Sequence, residues 1–330
     1  MNARILTSAA VAALFCGVLP ASAADPQMLN LLMPDAKVVA GVNVQQAMAT
    51  PFGQYVLSLI APQDQQIQSL ATQIGFDPRR DVSELLVAST GAPAHAGLVL
   101  ARGNFDPAKI AAAATLAGVK SETYGGVTIL EQQPKLPADA PAAAVAMVPT
   151  VGLAFLDSSL VVAGDVANVK AAIDRRPAAS ILPAALLTQV NQWSLSQDAW
   201  VVDIAPLASL TPPAGAPKLP GGAQATAFQA IQQAASGVKF GTIVVVTAQA
   251  QADTAENATA MAGVLQLLAN LAQAQAAQNP GAAALLKSLM VTAQGNTLKI
   301  AMSLPQDQLQ QVIKPKGTSL QAPRRAQKKM

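Results

Sequence analysis

The sequence predicts an α+β protein of two similar lobes, each a mostly antiparallel sheet covered on one face by helices. Three observations lead there. Apolar residues make up 52% of the 330 positions and charged residues only 12%, enough to fill large cores and far from the composition of a disordered chain. Aromatics are 3%, so Ala, Val, Leu and Ile supply the bulk. Short β-rich runs bounded by glycine turns alternate with Ala-rich helical stretches, and this succession recurs in the second half of the chain.

The chain opens on an export pattern. Arg4 provides a positive start, Ile5 to Leu19 an apolar stretch, and Pro20 a break. Ala21-Ser22-Ala23 then places small side chains where a signal peptidase reads. Residues 1–24 are therefore read as a signal peptide, cut after Ala23 or Ala24, and the protein as exported to the periplasm or secreted. The stretch falls short of the roughly 20 apolar residues a membrane span needs. Its Cys16, the single cysteine, follows Phe15 rather than the small residue lipidation requires, and the mature chain holds no thiol. Ala258 to Leu271, the next longest apolar run, is interrupted by Gly263, Gln266 and Asn270, so no transmembrane span is expected after cleavage.

Residues 25–182 read as the first lobe. Lys37 to Val44 has the β-branched character of a buried strand. Pro51 starts a helix with Tyr55, Val56, Leu59 and Ile60 at helical spacing, and Asp64 to Ile74 forms a second one ended by Gly75. Strands Glu84–Ser89 and Ala96–Arg102 follow, then a helix opened by Asp106-Pro107 and closed near Gly118. Tyr124-Gly125-Gly126 turns between strands Val119–Thr123 and Val127–Glu131. After a proline-rich loop at 132–149 comes a unit of strand, turn, strand and helix: Val151–Leu156, Asp157-Ser158-Ser159, Leu160–Ala163, and Val166–Asp174 capped by Asp165.

Residues 183–313 read as the second lobe. It begins with a short helix, Leu186–Trp193, and a strand, Ala199–Ile204. A proline-rich loop, Pro206–Gly222, separates these from an expected helix, Gln224–Ala235. Val238–Ala250 is β-rich and long enough for two strands or a bent one. Asp253 starts the longest helix, to about residue 278 by its Met261, Leu265, Leu268 and Ala272 stripe. Strand Leu289–Ala293, turn Gly295-Asn296, strand Leu298–Ser303 and helix Gln306–Ile313 close the lobe. Strand, aspartate cap and Ala-rich helix at 97–118 match those at 242–278. The strand-turn-strand-helix units at 151–174 and 289–313 match as well. An internal duplication explains both correspondences.

Four segments carry a resemblance: Gly75-Phe76-Asp77-Pro78, Gly103-Asn104-Phe105-Asp106-Pro107, Tyr124-Gly125-Gly126-Val127, and Ala154-Phe155-Leu156-Asp157 ahead of Val161-Val162-Ala163-Gly164-Asp165. Over residues 36–175 the chain resembles exported bacterial proteins of unknown function with a duplicated α+β domain. The resemblance implies localisation and fold and supplies no catalytic residues.

Few chemistries fit the residues. His95 is the single histidine, set between Ala94 and Ala96 without an orienting partner in any motif, so it reads as a loop or strand-edge residue. Neither a Gly-x-Ser-x-Gly elbow nor a phosphate-binding glycine loop is present. Ser236-Gly237-Val238-Lys239 has the Ser-x-x-Lys spacing but lacks its companion motifs. Asp77 and Asp81 around Arg79-Arg80, and Asp157 and Asp165 around a hairpin, are the carboxylate pairs that glycoside hydrolysis would need. They read better as turn residues, helix caps and a solvated ion cluster. No catalytic residue, cofactor or metal is therefore expected.

One segment departs from the background. Of the 21 Lys and Arg, Arg4 and six in the tail leave 14 in the body against all 18 acids, so the body is acidic and residues 314–330 are strongly basic. Lys314, Lys316, Arg324, Arg325, Lys328 and Lys329 carry that charge, among Pro315, Gly317 and Pro323, which oppose regular structure. Such a disordered basic tail attracts anionic envelope surfaces, and export argues against nucleic acid. The expected function is a non-enzymatic binding or scaffold module of the envelope. The alternative is a hydrolase acting on cell-envelope polymers.

Overall fold

The computed structural model describes residues 24–60, 75–91, 97–132, 150–206, 229–276 and 280–313. Residues 1–23 of the expected signal peptide, the expected helix at 64–74, His95, the bulk of both proline-rich loops and the basic tail lie outside the described residues.

An Asp-Pro step opens the first helix, α1 (Pro26–Leu31). The Asp25 carboxylate accepts the Gln27 amide hydrogen at 2.8 Å, and Pro26 occupies the first turn, where its missing N–H leaves no bond unmade. The first element the sequence predicts is the next one, β1 (Val38–Asn43). Short α2 (Val44–Met48) and α3 (Pro51–Ile60) follow, then α4 (Pro78–Asp81) and the hairpin of β2 (Val82–Ser89) and β3 (Gly97–Gly103). Asp106 caps α5 (Pro107–Leu116) by accepting the Lys109 amide hydrogen at 3.1 Å. Strands β4 (Lys120–Tyr124) and β5 (Val127–Gln132) join through Gly125 and Gly126, both at positive φ (55° and 78°), which only glycine adopts without strain. Strands β6 (Val151–Phe155) and β7 (Leu160–Asp165) lead into α6 (Val166–Arg175), capped by Asp165 as its sequence predicts.

The second half runs α7 (Ala184–Ser196), β8 (Ala199–Asp203), β9 (Ile231–Lys239), β10 (Ile243–Ala252), α8 (Ala255–Gln275), α9 (Pro280–Ser288), β11 (Met290–Gln294), β12 (Thr297–Pro305) and α10 (Gln306–Ile313). Residues 231–235, expected in a helix, belong to β9. Its Gln-Gln-Ala-Ala stretch has helical propensity, but pairing of Gln233 to Ala235 with β10, and of Ala234 and Ala235 also with β8, overrides it. The cap of α8 is Thr254, whose hydroxyl accepts the Asn257 amide hydrogen at 3.1 Å, one residue past the expected Asp253. Helix α9 was not foreseen.

All twelve strands form one sheet, in the order β11-β12-β10-β9-β8-β1-β2-β3-β7-β6-β5-β4, with every pairing antiparallel. The fold is α+β. Where separate sheets were expected, β1 and β8 pair at the centre, from Val38 opposite Asp203 to Val42 opposite Ala199. Outward from that pair the strands run β1-β2-β3-β7-β6 on one side and β8-β9-β10-β12-β11 on the other; the β4–β5 hairpin extends the first side.

Helices pack on both faces rather than one. Consecutive residues of a strand point to opposite faces, and on β3 Leu100 belongs to one buried cluster while Ala101 belongs to another. The first cluster is the largest. It joins Met28 of α1, Val169 of α6 and Leu186, Val190 and Trp193 of α7 to Val39, Leu86, Leu100, Val162 and Val202 of the sheet. It therefore spans residues from both sides of position 183. On the opposite face, α5 packs beside Phe105, α8 covers the β11–β12 edge through Met261, and α3 and α10 cover Val244 and Leu304.

Candidate functional site

Three of the turn segments singled out in the sequence converge at one end of the sheet. Asn104 donates its amide hydrogen to the Asp81 carbonyl at 2.7 Å, and Phe105 and Gly103 donate theirs to the Ser158 and Ser159 carbonyls at 2.8 and 2.9 Å. Gly103 permits this approach, because a Cβ there would lie 2.1 Å from the Asp81 carbonyl oxygen. Beneath lie the rings of Phe76, Phe105 and Phe155: Phe76 is tilted against Phe105 with centroids 5.8 Å apart, and Phe155 meets Phe105 edge-on at 5.7 Å. Above them opens a depression of about 540 Å³, with Arg80, Asp106, Lys109, Asn104 and Ser158 on its walls.

Its carboxylates are engaged in structure. Asp77 caps α4 and pairs with Arg79 at 3.1 Å. Asp81 accepts both Arg80 Nε (2.7 Å) and Nη2 (2.8 Å), and its Oδ2 also takes the Asp77 amide hydrogen at 2.8 Å. Arg80 spends a further hydrogen bond on the Gly75 carbonyl, at 2.7 Å. The hydrogen bond from Arg79 holds the Asp77 carboxyl below its ordinary range, and that from Arg80 does the same to Asp81. Asp106 is lowered by the Lys109 amide and ammonium. Burial pushes Asp157 upward, but the Ser159 hydroxyl and amide outweigh it and the net shift is down. A general acid at neutral pH needs the opposite perturbation.

Asp157 and Asp165 do not converge either. The first holds the β6–β7 turn through Ser159 N and Oγ at 2.6 and 2.7 Å, and the second caps α6 at the far end of β7. The carboxyls that are raised lie elsewhere. Burial raises Glu84, with the Asp25 carboxylate adding to it. Burial also raises Asp203. Glu84 stands opposite Asn43 and Asp203 opposite Val38. Those positions are at opposite ends of β1 and, being an odd number of residues apart, on opposite faces of the sheet. They cannot act on one bond together. Among the described residues no three His, Cys, Asp or Glu side chains come together as a metal site.

A second concavity is one the sequence reading missed. Strand registers align Ile300, Ala248, Ser236, Val201, Ala40, Val87 and Val99 in one transverse row on a single face. Val87 and Val99 are 42% and 40% exposed, unusual for adjacent valines of interior strands. At the β8–β10 end of this row, small side chains leave an apolar groove of about 310 Å³ bounded by Val38, Asp203, Ala234, Ala250 and Ile300. Five strands contribute one to three residues each, so no local motif could mark it.

The six basic tail residues, Lys314, Lys316, Arg324, Arg325, Lys328 and Lys329, lie outside the described residues. No described helix is long and apolar enough to cross a membrane.

No protein-family model and no curated protein matches the chain. Among solved structures, crystal form I of TP0453 aligns with 88% of this chain and 97% of its own, at 10% identity and a TM-score of 0.49.

Proposed function

We propose that this is an exported protein of the cell envelope that binds an apolar ligand or segment rather than transforming a substrate. The observation that carries the reading is the groove across β8–β10. It is a concave surface of small apolar side chains beside one half-buried carboxylate, the composition of a binding site rather than of a catalytic one. The saturated ion pairs of Asp77 and Asp81 weigh against the hydrolase alternative. Native mass spectrometry of the mature protein, purified gently from its own envelope, tests it. A reproducible extra mass that disappears in Ala248→Trp, with the fold intact by circular dichroism, is the expected result. A bare monomer from both proteins would refute the groove as a binding site.

The two halves are further proposed to descend from a duplicated lobe, residues 25–182 and 183–313. The support is the shared strand order outward from the β1–β8 pair, together with an aspartate or threonine cap opening a helix after β3 and after β10. The basic tail is proposed to give salt-sensitive adhesion to anionic envelope material. A chain ending at Ile313 should then lose binding to anionic lipid vesicles at low salt, and equal binding by the two forms would overturn the proposal.

A further inference from the structure

Glu84 is a carboxylate without a matching charge. It projects from β2 on the face that carries α1, directly opposite Arg102 of β3 in the strand register. Arg102 would be its natural partner, yet the guanidinium is committed elsewhere. It bonds the Asp25 carboxylate, Gln27 Oε1 at 2.8 Å and, through Nη1, Ser159 Oγ at 3.0 Å. Among the described residues Glu84 forms no ion pair. Its hydrogen-bond donor is the backbone amide of Asp25, at 3.4 Å to Oε1. Burial above all holds its carboxyl above the ordinary range; the Asp25 carboxylate adds to that, and the Asp25 amide and the more distant Arg102 charge offset it only in part. A desolvated acid served by one long bond to a neutral amide is an incomplete arrangement.

The amide it touches lies two residues from the small-residue motif read as a cleavage signal. Ala24 is 3% exposed and packs in the largest core cluster with Met28 and Leu29. Ala24 therefore belongs to the folded body, and of the two cleavage points the motif allows, only the one before it keeps that contact. We propose that the export protease hydrolyses the Ala23–Ala24 bond and that the new α-ammonium of Ala24 is the counter-ion for which Glu84 is placed. This rests on the reading of the chain as exported. In the step, water adds across the amide: Ala23 leaves with the carboxylate, and the nitrogen of Ala24 gains a hydrogen and, at neutral pH, a second proton.

The geometry suits the pairing. Consecutive residues are about 3.8 Å apart, so the ammonium of Ala24 arises within one residue's length of the amide that already reaches Glu84. The charged groups facing the site are Asp25, from the cap of α1, and Arg102, from β3. Asp25 is neutralised by Arg102, which leaves Glu84 to receive the new cation. Before cleavage the same nitrogen is an uncharged amide, so processing itself completes the ion pair and ties the start of α1 to the sheet.

The experiment uses the full chain with its own leader, expressed in a secreting bacterium. Intact mass and N-terminal sequencing of the exported protein should give Ala24 as the first residue. The α-amino group, labelled by ¹³C reductive methylation, is then titrated by NMR. It should hold its proton about tenfold more tightly than an ordinary N-terminus, whose pKa is near 7.7–8.0. Glu84→Gln should return it to the ordinary value. If that variant folds poorly, a form with Gly-Ser inserted before Ala24 serves instead, because it carries the ammonium away from Glu84 and should also titrate normally. A retained leader, or a different first residue, would refute the processing reading. A chain starting at Ala24 whose α-amino group titrates normally would refute the Glu84 pairing alone.

Discussion

Asp198 offers the sharpest test of how the two halves of the sheet are held. Its side chain is 4% exposed and accepts Lys239 Nζ at 2.6 Å and the buried Phe240 amide at 2.7 Å. Its own carbonyl takes the Asn43 amide hydrogen at 2.8 Å, so the residue ties β8 to the β9–β10 turn and to β1 at once. In Asp198→Ala the Phe240 N–H loses its acceptor away from water, a cost of about 1–3 kcal/mol. The Lys239 side chain is 42% exposed and rehydrates, so its lost ion pair adds no more than about 1 kcal/mol. The expected total is about 1–4 kcal/mol, read as a lower urea midpoint at unchanged slope. Asp198→Asn keeps an oxygen for Phe240 and should lose only about 1 kcal/mol, the charge-dependent part. If Asp198→Ala unfolds within about 0.5 kcal/mol of the parent, a range typical of surface changes, the junction is not held as described.

Three further outcomes follow from the geometry. Gly103→Ala should cost about 1–3 kcal/mol by overpacking, because the new methyl meets the rigid Asp81 carbonyl; thermal unfolding measures it. Gly41→Ala places a methyl 2.5 Å from the Trp200 ring, its register partner on β8, so Trp200→Leu should relieve part of that cost and a double-mutant cycle should show coupling. The carboxyls of Asp77 and Asp81 are lowered by their arginines, so the stability they contribute is full above about pH 4 and lost as pH falls through their folded values. Removing both partners, in Arg79→Ala with Arg80→Ala, should therefore move the midpoint of acid unfolding, followed by circular dichroism, to higher pH.

Elements governed by local chemistry are legible in the sequence alone. Asp106-Pro107, Asp165 and Gly125-Gly126 act through their immediate neighbours, and each performs the cap or turn its residue type implies. The candidate depression was half legible: its three turn segments were singled out, but nothing in the sequence brings Asn104 to Asp81 or Phe105 to Ser158. Residues 231–235 defy their local helical propensity because their strand partners, Val202 and Asp203 on β8 and Gln249 to Ala252 on β10, lie more than ten positions away in sequence. The groove and the isolated Glu84 were invisible for the same reason.

The sequence by itself determined the α+β class, the antiparallel hairpins and most caps, because each depends on residues within a few positions of one another. It also carries the export pattern and the contrast between an acidic body and a basic tail. Only the tertiary structure decided that the strands form one sheet rather than two, since the β1–β8 pair joins residues about 160 positions apart through backbone hydrogen bonds that any side chains would permit. It likewise decided that a run of small residues on separate strands lines a groove and that Arg102 turns from Glu84 to Asp25. Those outcomes depend on register, which sets every side chain's face and neighbours at once.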